Sequence, residues 1–376
     1  MNRLNNDRVA ALARPDISQL EIDAVTAVLR SPHLSLGPKL AEFEQRFANL
    51  CRTAHAVACN SGTSALHLVV KSLGIGPGDE VITTPFSFVA SANCILFEGA
   101  RPVFVDVDPR TWCIDANRIA QAVTDRTRAI LPVDVFGVIP DMHAIGKIAD
   151  RHHLRIIEDA CEAVGAQLDG APAGGLGDAG VFGFYPNKQI TTGEGGMVVT
   201  DDDRIAELAR SLRNQGRDAQ PGWLAHRRLG YNYRLSDINC AVGCAQLERL
   251  AHILESRRQV AQYYDEALGD DPRITRQHCP IACRKSWFVY VLRLADDYPA
   301  SRRDEILAQL RERGIACSNY FSPIHLQPFY RDDHGYKPGD FPVTEALAQR
   351  TIALPFHACL TRQDVALVVE ALKSLL

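Results

Sequence analysis

A chain of 376 residues, 46% hydrophobic and 23% charged, has ordinary globular composition and enough length for two domains sharing one body. Its formal charge is only −4, with Lys, Arg, Asp and Glu dispersed, so it has no basic stripe of the kind that neutralises nucleic-acid phosphates. No segment approaches the roughly 18 apolar residues of a membrane span, and the N-terminal MNRLNNDRVAALARPD lacks the apolar run of a signal peptide, so a cytoplasmic protein is expected.

In chain order, Ser18-Gln19-Leu20-Glu21 reads as a capping box. It opens a helical region that runs through PKLAEFEQRFANL and reaches a short strand, HAVAC, at 55 to 59. Apolar strand-like runs then recur between helix-like segments: EVITT from 80, RPVFVDV from 101, RAILPV from 128 and LRIIED from 154. That alternation predicts an α/β fold with a mostly parallel sheet between helices. GVFGFY and GGMVVT follow as two close strands flanking a polar turn. From Ser236 towards Leu268 the pattern is one long helix, without Pro and weakened only by Gly243, that bridges two domains. Beyond it, strand-like WFVYVLRL and CSNYF, a helix around DEILAQLRERG and a last helix opened by Thr361-Arg362-Gln363-Asp364 predict a smaller α+β domain. The expected division is a large domain at 1–245 and a small one at 246–376.

Eleven cysteines are many, but Cys51, Cys59, Cys94, Cys113, Cys161 and Cys317 sit singly among apolar neighbours, as buried cytosolic thiols do. Cys240/Cys244 and Cys279/Cys283 have helical i,i+4 spacing with no second ligand pair nearby, so no metal is expected.

Three segments carry chemistry. In NSGTSAL, between a strand and the apolar helix SALHLVVKSL, Gly62 lets the chain approach an anion closely, and Thr63 and Ser64 add hydroxyls at the positive end of the helix. A Ser/Thr-rich N-cap with no ligand explains the same letters. In IEDACE, Asp159 stands where a strand ends, the place at which open α/β sheets bind ligands. A carboxylate there can hold the proton of a pyridinium nitrogen, or can simply cap a following helix, in which case Glu162 shares its face. In FYPNKQITTGEGG, Lys188 follows Pro186 and precedes three glycines between apolar strands, a shaped crossing that can hold a lysine beside a ligand rather than in water. Partial removal from water disfavours the ammonium form, as imine formation requires.

With these segments the chain resembles the DegT/DnrJ/EryC1/StrS family of PLP-dependent sugar aminotransferases, which have the fold type I, aspartate aminotransferase-like architecture. The resemblance runs through Gly37-Pro38, NSGTSAL, PFSFVASANC, EDACEAVGA, NKQITTGEGG, GYNYRLSDI, YFSPIHLQPFY and ALPFH. It implies pyridoxal 5′-phosphate (PLP) as cofactor, Lys188 as the lysine joined to it, Asp159 as partner of its ring nitrogen and Phe88 as the ring stacked on it. Gly62, Thr63 and Ser64 then hold the phosphate. It further implies a homodimer in which Asn232 reaches the phosphate in the neighbouring subunit, with L-glutamate as amino donor and a nucleotide-linked keto sugar, most often a 4-keto-6-deoxyhexose, as acceptor. Glu194, Tyr320 and His325 are implied near substrate, and the loops at SPHLSLGP, Asn214 to Tyr233 and Tyr320 to Tyr336 around the sugar. Two positions depart from the family pattern. Gly183 stands where many relatives have a phosphate-binding Ser, and Glu162 occupies a position that varies among Gln, Glu and His beside the cofactor. The alternatives are a sugar dehydratase of the same family, in which the lysine is replaced by His, and a non-catalytic PLP-binding regulator.

Overall fold

The computed structural model describes residues 11–218 and 225–376. Residues 1–10 and 219–224, and with them parts of the N-terminal stretch and of the Asn214 to Tyr233 loop, lie outside the described residues.

The Ser18 capping box forms. Ser18 Oγ accepts the Leu20 N–H at 3.2 Å and the Glu21 carboxylate accepts the Ser18 N–H at 2.6 Å, opening the helix Gln19–Leu29. The next helix, Pro38–Cys51, starts with Pro in its first turn after Gly37. A side chain at Gly37 would stand 2.3 Å from Asp237 Oδ2, so the close approach of these segments needs glycine. Phe43 and Phe47 of this helix pack on Phe184 and Phe182 at centroid distances of 5.4 and 4.9 Å. They wedge the helix under the strand that leads to Lys188.

The strands are β1 (His55–Cys59), β2 (Glu80–Thr83), β3 (Arg101–Phe104), β4 (Thr127–Ile130), β5 (Arg155–Asp159), the short β6 (Gln167–Leu168) and β7 (Ala171–Pro172), β8 (Ala179–Gly183) and β9 (Gly196–Thr200). Seven of them form one sheet in the order β1-β9-β8-β5-β4-β2-β3. β5 pairs parallel with β4 and β8, β2 pairs parallel with β3 and β4, and β9 runs antiparallel to both β1 and β8. β2, β8 and β9 are buried along their whole length, as strands covered by helices on both faces must be.

Four more strands follow: β10 (Ile274–Arg276), β11 (Cys283–Arg284), β12 (Tyr290–Leu294) and β13 (Thr351–Leu354). β10, β12 and β13 make an antiparallel sheet, while β11 pairs with β6. A second core gathers here, in which Tyr264 stacks on Tyr290 at 4.5 Å and Phe356 joins them, with helices Leu250–Leu268, Arg302–Glu312 and Arg362–Lys373 around it.

Three local readings are corrected. The long helix is two helices, Asp237–Glu248 and Leu250–Leu268, broken at Arg249. No Pro or Gly causes the break; the Arg249 guanidinium is pulled to Asp16 at 2.9 Å and Glu21 at 3.0 Å, a tertiary clamp invisible to local pattern. CSNYF is not a strand, because only Ser318 pairs with the sheet, at Ala353, before the chain turns into the cleft. Cys279 and Cys283 flank a turn that begins at Pro280, not a helical face. Among the described residues no group of His, Cys, Asp and Glu is arranged to hold a metal ion, and no helix is long and apolar enough to cross a membrane.

Candidate active site

A cleft of about 580 Å³ opens at the carboxyl ends of β5 and β8. Gly62, Thr63, Phe88, Asp159, Glu162, Lys188, Glu194 and Tyr320 all line it, so a single surface gathers residues read from segments far apart in the sequence.

Asp159, the last residue of β5, is almost wholly buried. Its Oδ2 accepts the Ser91 hydroxyl at 2.7 Å and its Oδ1 the Cys161 N–H at 3.2 Å, which fixes the carboxylate in one orientation. Ser91 in turn is 2.8 Å from Ser87. No helix begins after Asp159, so the helix-cap reading and the shared helical face with Glu162 do not hold. Glu162 reaches the cleft from a turn instead. Its Oε2 accepts the Phe136 N–H at 2.8 Å, and its Oε1 lies 3.6 Å from Lys188 Nζ. Burial raises the Glu162 carboxyl above the usual carboxylate range, against the pull of Lys188.

Lys188 sits in a tight turn in which its N–H donates to the Tyr185 carbonyl O at 2.9 Å. The side chain is only 15% exposed, with Nζ 4.0 Å above the Phe288 ring. The neighbouring Gln189 locks the turn, donating to the Glu162 carbonyl O at 2.6 Å and to Ser286 Oγ at 3.0 Å. Arg257 holds the Lys188 carbonyl O at 2.8 Å. The lysine is thus shielded, and Glu162, 3.6 Å from its Nζ, is its ion-pair partner.

At the opposite wall the helix Gly62–Ser72 points its N-terminus into the cleft. Ser61 Oγ caps it, accepting the Ser64 N–H at 3.0 Å and bonding the Ser64 hydroxyl at 2.9 Å. Ser64 is buried and does not line the cleft, whereas Ser61 does. Ser61 and Thr63 are therefore the hydroxyls of this helix start that face the cleft, and Ser61 is one the sequence did not single out. A Cβ at Gly62 would meet Cys161 Sγ at 3.0 Å and Gly183 Cα at 3.3 Å, so the loop, β8 and the Asp159 turn close on one another at a point that needs glycine. Phe88 is 62% exposed and presents its ring to the opening. The Tyr320 phenol, packed against Phe136 and Phe321, is pushed up to about 12, chiefly by burial, and takes a hydrogen bond from Asn187.

Besides Ser64, two expected residues are not brought to this surface. Asn232 is exposed and does not line the cleft of its own chain; it pairs with Asn214, and the carbonyl O of the next residue, Tyr233, takes the Asn60 N–H at 2.9 Å. His325 is fully buried; its Nε2 lies 3.1 Å from Glu345 Oε1 and its ring against Phe341 at 4.7 Å. Burial lowers the His325 imidazole below its ordinary value.

Behind Asp159 is a pair that no motif signalled. Asp134 is wholly buried, neither of its oxygens has a donor among the described residues, and its carboxyl faces that of Glu158 in hydrogen-bond contact. Two carboxyls in such contact share one proton. Burial and then the charge of Glu158 push Asp134 well above its ordinary range, so Asp134 holds it. Glu158 accepts the N–H groups of Gly174 and Leu176 at 2.7 and 2.9 Å, yet burial pushes it up to about 7.

The donor set fits PLP: a shielded amine, a fixed carboxylate, a helix N-terminus closed around Gly62 and an aromatic ring share one concave surface. Lys188, Asp159, Ser61, Gly62, Thr63 and Phe88 would hold it.

The family model for the DegT/DnrJ/EryC1/StrS aminotransferase family matches residues 15–373. The chain is 41% identical over 369 residues to GDP-perosamine synthase of Caulobacter vibrioides, covering 97% of this chain and 98% of that protein. The crystal structure of DesV from S. venezuelae, in complex with a ketimine intermediate, superposes with a TM-score of 0.88 at 36% identity, covering 94% of this chain and 93% of that one. The sugar aminotransferase Spr1654 of Streptococcus pneumoniae, solved in its PLP form, gives a TM-score of 0.92 at 28% identity, covering 96% of this chain and 97% of that one. The α/β fold expected from the alternation of strands and helices is the fold of these enzymes. The chain belongs to the DegT/DnrJ/EryC1/StrS aminotransferase family, whose chemistry depends on pyridoxal 5′-phosphate.

Proposed function

We propose that this enzyme moves an amino group from L-glutamate to a nucleotide-linked keto sugar, a 4-keto-6-deoxyhexose above all. The observation that carries the reading is the placement of Lys188 and Asp159 in one cleft, in a chain similar along nearly its whole length to a GDP-perosamine synthase. When bound, PLP supplies an aldehyde that takes up the amino group and a cationic ring that accepts electrons from the carbon losing a proton. The chain's own residues do the rest. Asp159, held by Ser91 and the Cys161 N–H, keeps a proton on the ring nitrogen. Lys188 removes the proton at the α-carbon of glutamate and returns it at the sugar carbon that receives nitrogen. Ser61, Gly62 and Thr63 bind the phosphate with helix N–H groups and hydroxyls, Ser64 buttresses that end through Ser61, and Phe88 covers one face of the ring. Glu194 and Tyr320 contact the sugar from the cleft walls.

The proposed unit is a homodimer in the cytoplasm, with 1–245 as the PLP-binding domain and 246–376 as the smaller domain supplying Tyr320. Its eleven unpaired thiols suit a reducing compartment. Asn232, exposed and not among the residues lining its own cleft, is offered to the neighbouring subunit's phosphate. The test is a panel of UDP-, GDP- and dTDP-linked 4-keto sugars incubated with glutamate, read as 2-oxoglutarate release and amino-sugar mass. One nucleotide series should be turned over; no turnover with any of them sinks the substrate reading. Sharing is tested by mixing Lys188→Ala subunits with a bulky Asn232 variant. Activity should return in exchanged heterodimers, and complete exchange with no recovery places Asn232 outside the neighbouring site.

A further inference from the structure

Cys279 and Cys283 flank the turn Pro280-Ile281-Ala282, closed by the Cys283 N–H donating to the Pro280 carbonyl O at 2.8 Å. The flanks are pinned on both sides: the His278 N–H bonds the Arg110 carbonyl O at 2.9 Å, and Cys283 lies in β11, paired with Leu168. Ile281 at the tip is fully exposed, Cys279 is half-buried and Cys283 is buried. The Cys279 thiol donates to the Cys283 carbonyl O at 3.1 Å, which sets the two cysteines against each other across the turn. Lys285, buried against the Trp287 ring at 4.1 Å and bonded to Gln277 at 2.8 Å, is the cation that faces both. From these contacts we infer that Cys279 and Cys283 are a peroxide-reactive dithiol that closes an intrachain disulfide outside the catalytic cleft.

The roles of the two sulfurs differ. The hydrogen bond from the Cys283 thiol brings Cys279 down to about 7, with Lys285 adding to it against the effect of burial. The same bond, together with burial, pushes Cys283 up. Burial raises the thiols of Cys51, Cys59, Cys94 and Cys113, which lack such a partner. Cys279 is thus the nucleophile and Cys283 the resolving thiol. The Cys279 thiolate attacks one oxygen of hydrogen peroxide, the O–O bond breaks and hydroxide leaves, giving a sulfenic acid. Cys283 then attacks that sulfur, the S–O bond breaks, and its thiol proton leaves with the oxygen as water. Two thiols and one peroxide become one disulfide and two waters. The cross-link sits just before the segment that supports Lys188, in which Ser286 takes the Gln189 amide and Phe288 lies under Lys188.

Trypsin places both cysteines in one peptide, QHCPIACR, residues 277–284. The full-length PLP-loaded enzyme is treated with hydrogen peroxide, denatured, alkylated with N-ethylmaleimide and digested. The expected peptide is unlabelled and lighter by two hydrogens, regains two labelled thiols after dithiothreitol, and is lost about tenfold faster than other thiol peptides. In Cys283→Ser, Cys279 should stop as a sulfenic acid trapped by dimedone. A peptide that still takes two labels while other thiols oxidise, a Cys279 disulfide to Cys113, or over-oxidation of Cys279 without pairing would each overturn the inference. The unmodified protein decides these outcomes, so a poorly folding variant leaves the test intact.

Discussion

Replacing Asp134 by Asn should make the enzyme more stable as the pH rises. The wild-type carboxyl is wholly buried without a donor and must carry a proton in the folded chain, whereas in the unfolded chain it ionises near its ordinary 3.8. Between that value and the raised folded value the folded state binds the extra proton, so its stability falls with increasing pH by about 1.4 kcal/mol per unit. Asn keeps the shape, stays neutral and still donates to Glu158. The stability gap between variant and wild type should therefore widen by about 1.4 kcal/mol for each pH unit between those two values. With roughly 2.1 cal/mol/K of unfolding entropy per residue over 376 residues, that is about 2 °C in Tm per pH unit. Thermal unfolding of both PLP-loaded proteins at pH 5, 6 and 7 measures it. A gap that stays flat, or a wild type that becomes the more stable at pH 7, refutes the shared proton.

Lys188→Ala should fold, but borohydride should no longer fix PLP to the peptide carrying residue 188, and loss of the base should slow transfer by roughly 10² to 10⁴; near-normal turnover would remove Lys188 from the chemistry. Asp159→Asn should bind PLP yet markedly slow single-turnover reaction with glutamate, and an unchanged rate would leave Asp159 a structural residue. Gly183→Ser should fit, because a Cβ there lies 3.6 Å from Cys161 Sγ, an ordinary contact. Its hydroxyl beside a charged phosphate should tighten PLP binding about tenfold by equilibrium dialysis, and weaker binding would show that the cup has no room.

The sequence is informative where function constrains neighbours along the chain, and silent where it constrains neighbours in space. Strands β1 to β5 are legible because apolar runs between helix-like segments are a local pattern, and the Ser18 and Thr361 caps because their partners are three residues away. Lys188 and Asp159 were legible by resemblance, each within a motif of contiguous residues. Ser91, which orients Asp159 from 68 positions earlier, leaves no such trace, nor does the Arg249 clamp that breaks the bridging helix. Ser61 lines the cleft and Ser64 does not, for a finer reason. Both hydroxyls lie at one helix start, and only the turn of the backbone decides which faces the cleft and which packs behind it.

The burial of His325 relocates the control of the sugar wall. Tyr320, Phe321 and Ser322 line the cleft from a segment with almost no sheet pairing, so something else must hold them. The Ile324 N–H bonds the Pro85 carbonyl O at 2.9 Å, beside the segment that carries Phe88. His325 is tied to Glu345, which also takes the Gly339 N–H at 2.8 Å, and the helix bearing Glu345 starts on Asp106, which accepts the Val343 and Thr344 N–H groups at 3.0 and 2.9 Å. Asp106 follows β3, at the edge of the main sheet, so the wall is hung from the same sheet that positions Asp159. A neutral His325 suits that task, since burial disfavours the imidazolium more than the carboxylates of Glu345, Asp340 and Asp106 favour it. Under the proposed function, its influence on substrate choice passes through the position of Tyr320, and changes at the wall alter the sugar accepted while Lys188 and Asp159 stay where they are.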